Sequence, residues 1–370
     1  MIYLDYNATT PVDPEVFEAM RPFLAAKFGN PSSGHALGRE AAAALSTARY
    51  SLARLIGAQA EEVLFTGGGT EASNLAIKGL AWARPTGSGH LVTTAVEHPA
   101  TTEPIRFLQQ RGFTCTIVGV DSTGLVDPDD VRRALRKDTF LISAMHAQNE
   151  VGTIEPIEEL GRIAREAGVC FHVDAAQSVG KIPVNVQAMN ADLVSIAGHK
   201  MYAPKGIGAL YIRQGVALEP LIHGASQEGG RRGGTENVSM AVGLGKAAEL
   251  AAVHLTDPCI CDLRDHFWAG LSGMLGERVA LNGHPTLRLP GTLHVSFIGI
   301  VGGEVLAKLG EIHASTGAAC HAGDAKPSAV LMAMGLSRDR AIGAVRFSIG
   351  RPTTRAEIDR TLELLRLKMC

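Results

Sequence analysis

The chain is 370 residues long, 46% hydrophobic and 19% charged, which is enough to bury a large core in one big domain or two unequal ones. With 35 Lys and Arg against 37 Asp and Glu the net charge is -2, and aromatics are only 5%, so neither attraction to nucleic acid nor a base-stacking platform is expected. No apolar run is long enough for a bilayer, the start "MIYLDYNATTPVD" has no leader-like region, and six scattered cysteines form neither a disulfide framework nor a zinc spacing.

The expectation is a soluble cytoplasmic protein with no membrane span and no metal site. From about residue 60 to 215, short apolar runs alternate with amphipathic segments. "EVLFT" (62–66), "HLVTT" (90–94), "FTCTIVGV" (113–120), "FLISAM" (140–145), "VCFHVD" (169–174), "DLVSIA" (192–197) and "IGALYI" (207–212) read as strands buried on both faces. The segments 70–83, 99–111 and 156–168 read as helices between them. This alternation predicts an α/β fold with a mostly parallel, seven-stranded sheet.

A long helical stretch, 236–255, ends the large domain, placed at 14–254. Residues 255–370 mix short strands with helices, and with the extended segment 1–13 they are expected to form a smaller α+β domain. The last helix is expected to start at Thr354, where Glu357 completes a capping box, with Ile358, Leu362 and Leu365 facing inward.

Polar residues gather just beyond five strand ends: Thr66–Thr70, Glu97–His98, His146–Asn149, Asp174–Gln177 and His199–Lys200. Ligands collect at the carboxyl ends of parallel strands, so five such clusters predict one crevice. "TGGGTEASN" (66–74) offers backbone N–H groups to a phosphate at a helix start. It also satisfies G-x-G-x-x-A, the dinucleotide fingerprint, with Glu97 near a ribose-binding position, and a plain tight turn explains it equally well.

Asp174 and Lys200 separate these readings. A carboxylate at the end of an apolar strand needs a cation or good hydrogen-bond donors. A lysine one strand later can reach the same pocket. An aspartate facing a pyridinium nitrogen and a lysine forming a Schiff base is the pyridoxal-phosphate arrangement.

Ten ordered blocks then carry a family resemblance: "YLDYNATTPVD", "FGNPSSGH", "TGGGTEASNLAI", "VEHPA", "NEVGTIEPI", "VDAAQSVGK", "GHKMYAPKGIGALYI", "GGRRGGTENV", "STGAACHAG" and "VRFSIGRPTT". Together they resemble the cysteine desulfurases of the NifS/IscS type, including selenocysteine lyases, over almost the whole chain. The resemblance implies the fold type I of PLP-dependent transferases and a homodimer using pyridoxal 5'-phosphate. It implies L-cysteine or L-selenocysteine as substrate, alanine as product, and a sulfur or selenium acceptor protein.

By the same resemblance Lys200 carries the cofactor and Lys205 does not. Gly69, Thr70 and His199 serve the phosphate, Thr235 does so in the partner subunit, His98 stacks on the ring, Asp174 faces its nitrogen and Gln177 its phenolic oxygen. Asn149 and Arg346 hold the substrate, and Cys320 is the thiolate that takes its sulfur. The position two before His199 is commonly Ser in this family and is Ala197 here. The missing hydrogen bond to an anion is worth about 1.5–3 kcal/mol unless Thr66 or a water replaces it.

The favoured activity is cysteine desulfurase. A selenocysteine lyase, a plain PLP aminotransferase, a nicotinamide oxidoreductase and a non-catalytic PLP-binding sulfur carrier are the alternatives.

Overall fold

Runs of β-branched and aliphatic residues between polar punctuation form the strands of one dominant sheet. The computed structural model describes residues 1–84, 87–255, 258–316 and 327–369. Its strands are β1 (Ile2–Tyr3), β2 (Val63–Thr66), β3 (His90–Thr94), β4 (Thr114–Val118), β5 (Thr139–Met145) and β6 (Cys170–Asp174). There follow β7 (Leu193–Ala197), β8 (Gly208–Ile212), β9 (Val279–Leu281), β10 (Thr292–Phe297), β11 (Ile312–His313) and β12 (Ala344–Ser348).

The seven strands β2 to β8 lie in the order β2-β8-β7-β6-β5-β3-β4. Pairing is parallel from β7 through β4, and β8 runs antiparallel to both β7 and β2. The expected α/β architecture is thus present. One strand differs from expectation: β4 is not buried on both faces, and its Ile117 is 64% exposed. It has a single neighbour, β3, and as an edge strand it is covered less than the central ones.

The helices that frame the site are α1 (Pro14–Ala25), α2 (Ala36–Ile56), α3 (Gly69–Asn74), α4 (Pro99–Gln109), α5 (Ile157–Ala167), α6 (Val238–His254), α7 (Cys259–Leu275) and α8 (Arg355–Met369). The expected helix over 70–83 is interrupted, because α3 passes through a π turn at Leu75–Gly79 before a last turn at Leu80–Trp82. At that turn the carbonyl of Gly79 accepts from Glu219 N at 3.0 Å, and a Cβ on Gly79 would lie 2.7 Å from the Glu219 carbonyl oxygen. A glycine therefore lets the neighbouring chain approach the helix.

Beyond α6, β12, β10 and β9 make a three-stranded antiparallel sheet packed on α7 and α8. The capping box of α8 is formed: Thr354 N donates to Glu357 Oε2 at 2.8 Å and Glu357 N to Thr354 Oγ1 at 3.3 Å. Ile358 and Leu365 are fully buried, and Leu362 is only partly so. Ile2 and Leu4 share this core with Phe267, Phe347 and Leu365, and β1 pairs in parallel with β11. Asp5 bridges to Ser348, so residues 5–10 are laid between the small sheet and the carboxyl ends of the large one. Among the described residues no single helix is long and apolar enough to cross a membrane.

Candidate active site

Each polar cluster is delivered by the strand before it. β6 ends on Asp174, which is only 5% exposed and whose Oδ1 accepts from Ala176 N at 2.9 Å. β7 ends on Ala197, and the tight turn Gly198–Lys200 then turns His199 and Lys200 inward. After β3, His98 caps α4 through its Nδ1, which accepts from Ala100 N at 3.0 Å and leaves Nε2 unengaged by the cap. After β2, Gly68 has φ 151° and ψ 176°, a conformation open essentially to glycine alone, and it sets Gly69 and Thr70 at the start of α3.

These residues line one cavity of about 330 Å³ together with Asn149, Gln177 and Arg346. Nine of the positions singled out from sequence therefore meet: Gly69, Thr70, His98, Asn149, Asp174, Gln177, His199, Lys200 and Arg346. Arg346 comes from β12, so the small sheet contributes a wall. Its Nη1 donates to the Asn149 carbonyl at 2.8 Å and its Nη2 to Asp5 Oδ1 at 2.8 Å, while its Nε is buried without a partner.

Burial dominates the electrostatics. It brings the Lys200 amine down to about 8, with Arg346 assisting and Asp5 and Asp174 opposing. The same burial raises the Asp174 carboxyl above the usual range, against the pull of His98 and Lys200. His98 is lowered mainly by burial, with Asp174 opposing and Lys200 reinforcing, and His199 falls to about 4 through burial and the nearby Lys200, Lys205 and Lys181. Lys200 Nζ donates to the carbonyls of Asn7 at 2.5 Å and Ala8 at 2.7 Å.

The arrangement suits pyridoxal 5'-phosphate. A buried carboxylate whose Oδ1 takes a single backbone N–H, in a cavity it shares with a lysine whose basicity burial has lowered, fits a pyridinium nitrogen and an aldehyde carbon. At the phosphate end a Cβ on residue 69 would stand 3.0 Å from Ala197 Cβ, so glycine keeps that corner open beside Thr70 and His199. Thr66 does not replace the hydroxyl missing at Ala197. Its Oγ1 is engaged with the backbone of Gly68, donating to the carbonyl at 3.0 Å, and it does not reach the cavity. Glu97 also turns away from any ribose: its Oε1 accepts from Thr94 Oγ1 at 2.7 Å and Met145 N at 2.8 Å, and burial pushes it up to about 8.

One sequence-derived position lies apart. Thr235 lines a separate cavity of about 240 Å³ with Gly67, Glu228 and Arg232. Cys320 lies outside the described residues.

Sequence reasoning missed Asn7 and Lys181. Asn7 is buried and accepts from Lys200 and Gln177 Nε2 through its carbonyl. Its Nδ2 donates to Thr292 Oγ1 at 2.8 Å and to the Asn149 carbonyl at 3.3 Å. Both residues stand inside blocks already noted for their motifs, and the available signal for Lys181 was a lysine four residues after Gln177, just ahead of the uncharged run "IPV".

The family model described as "Aminotransferase class-V" matches residues 2–361. A protein named cysteine desulfurase IscS from Dictyoglomus turgidum is 49% identical over 368 residues, covering 98% of this chain and 93% of its own length. A solved structure titled a NifS-like protein superposes with a TM-score of 0.93 at 37% identity, covering 100% of this chain and 99% of that one. Another, titled SspA in complex with cysteine, gives a TM-score of 0.85 at 39% identity, covering 94% and 99%.

Proposed function

The chain belongs to the aminotransferase class-V family and, within it, to the NifS/IscS-type cysteine desulfurases, and from that premise we propose that it converts L-cysteine to L-alanine and takes the sulfur onto Cys320 as a persulfide. The observation that carries this reading is the meeting of Lys200, Asp174 and Arg346 in one cavity. Pyridoxal 5'-phosphate is the cofactor, and when bound it supplies an electron sink for the pair left at the substrate's α-carbon.

The residues divide the remaining work. Lys200 holds the cofactor's aldehyde carbon, Asp174 its ring nitrogen, His98 the ring face, Gln177 the phenolic oxygen, and Gly69, Thr70 and His199 the phosphate. An amine brought from the usual lysine range down to about 8 has a far larger neutral fraction near physiological pH while remaining mostly protonated, so Lys200 is able both to attack a carbonyl and to carry a proton. Arg346 and Asn149 hold the substrate carboxylate; the planar fork of the guanidinium fixes the bound group's direction. Cys320, as thiolate, would form the new S–S bond while the substrate's C–S bond breaks, the C–S electron pair staying with the carbon side, which takes up a proton to become the methyl group of alanine. A sulfur acceptor protein then takes the persulfide sulfur.

The chain acts as a homodimer in this reading, with Thr235 serving the other copy's cofactor phosphate. Its place outside the cavity of its own chain supports that role.

A visible absorption spectrum, taken before and after L-cysteine and then L-selenocysteine with alanine quantified, tests the proposal. A yellow band lost in Lys200→Ala, and alanine from cysteine that requires Cys320, is the expected result. Alanine from selenocysteine alone moves the enzyme to the lyases, and full turnover by Cys320→Ala makes it an aminotransferase. A colourless protein that takes up no pyridoxal phosphate overturns the reading.

A further inference from the structure

Behind the Lys200 side of the cavity stands a second lysine that the reaction does not use. Lys181 Nζ donates to Gln177 Oε1 at 2.6 Å and to Asn7 Oδ1 at 3.0 Å. Burial holds its ammonium well below the usual lysine range, with repulsion from Lys200 and Arg346 adding to the effect. A small cavity of about 50 Å³ lies beside it and is lined also by Asn7 and Lys200. Burying an amine here is costly, so what it does for its neighbours matters.

A lysine ammonium and a backbone carbonyl each have one role, donor and acceptor, whereas a glutamine amide has an accepting end and a donating end. With the Asn7 carbonyl taking the NH2 end, the atom of Gln177 that meets Lys181 is its oxygen. The NH2 end is then turned the other way, where Nε2 donates one hydrogen to the Asn7 carbonyl at 2.9 Å and keeps the second for the cavity that Gln177 lines. Asn7 closes the arrangement. Its side-chain oxygen accepts from Lys181 while its main-chain oxygen accepts from both Lys200 and Gln177. Lys181 thus holds the oxygen end of the amide and the Asn7 carbonyl the NH2 end, and without Lys181 one of these two holds is lost.

We propose that Lys181 is a positioning residue: it locks the Gln177 amide so that an N–H, never the carbonyl oxygen, faces the phenolic oxygen of the bound cofactor. The inference rests on the cofactor assignment above and adds to it a residue and a function. A donor at that oxygen stabilises its anionic form and so lowers the pKa of the enzyme-bound cofactor.

Titrating the visible absorption of the holoenzyme tests this without measuring turnover. Lys181→Met is expected to raise the bound cofactor's pKa by about one unit, the equivalent of one hydrogen bond to an anion. Gln177→Ala is expected to raise it equally, and the double variant no further than either alone, since both remove the same donor. Lys181→Arg, which keeps donors in place, is expected to hold the wild-type value. An unchanged pKa in Lys181→Met, or shifts that add in full in the double variant, overturns the inference. If Lys181→Met does not fold, Lys181→Arg decides: the wild-type pKa supports the inference, and a shift as large as that of Gln177→Ala overturns it. A wild type that binds no cofactor overturns the underlying assignment as well, whereas a yellow wild type with an unmoved variant overturns this step alone.

Discussion

His172 and Asp174 lie two residues apart on β6 and so point to the same face of the same strand. Both are buried, yet their surroundings are opposite. His172 sits mid-sheet between β5 and β7, its Nδ1 paired with Ser143 Oγ and its Nε2 with Ser195 Oγ, each at 2.8 Å. His90 on β3 is held in the same way between Thr139 and Thr116. Asp174, at the strand end, has one backbone N–H on its Oδ1 and an open cavity before it. Buried polarity closed on both sides is architecture, and buried polarity left open toward a cavity is capacity for a ligand.

Substitutions at the two places should therefore separate activity from stability. At the open end, Lys200→Ala is expected to lower turnover by on the order of 10³-fold or more, with the Tm little changed, as measured by alanine formation and calorimetry. Asp174→Asn removes the charge facing the ring nitrogen, and a fall in kcat of roughly 10²–10³-fold is expected, with the cofactor still bound in the spectrum. At the closed site, His172→Leu leaves two serine hydroxyls without their partner. A loss of about 1–3 kcal/mol in denaturant unfolding is expected, with turnover per folded molecule unchanged.

The pH dependences sharpen the contrast. Burial depresses His172 from 6.5 to about 3, so between those values the unfolded chain binds more protons than the folded one. The stability it contributes is present above 6.5 and is lost as pH falls toward 3, and His172→Leu should flatten that part of the stability curve. Glu97 and Glu155 have the opposite sign. Raised to about 8, they contribute stability that is full at acid pH and lost as pH rises through 8. The smallest effect belongs to Lys200: the rate of cofactor uptake by the apoenzyme should climb through about pH 8 and then level off, as the neutral amine accumulates.

The central strands and the polar clusters beyond them were legible because each is a local pattern: an apolar run followed at once by charge or glycine. The edge position of β4 was not, since its run is as apolar as its neighbours' and only the strand order leaves Ile117 uncovered. Lys200 and Asp174 could be paired from spacing and chemistry. Asn7 could not be placed, because its partners are spread from residue 149 to residue 348 and come together only when the early segment crosses between two sheets. Thr66 shows the limit from the other side, since its hydroxyl lay in the right motif and was taken by its own turn.

That crossing segment also fixes when the site can first exist. The carbonyls that receive the Lys200 amine belong to residues 7 and 8, and those residues are held by Ser348 and by the pairing of β1 with β11. They wait for Ser348, 341 residues further on, before they have a place to lie. A nascent chain with its large sheet complete but β12 still unmade has Lys200 without its carbonyl partners and the cavity without the Arg346 wall. Cofactor loading into the finished geometry thus has to follow the making of β12, long after Lys200 itself is in the chain.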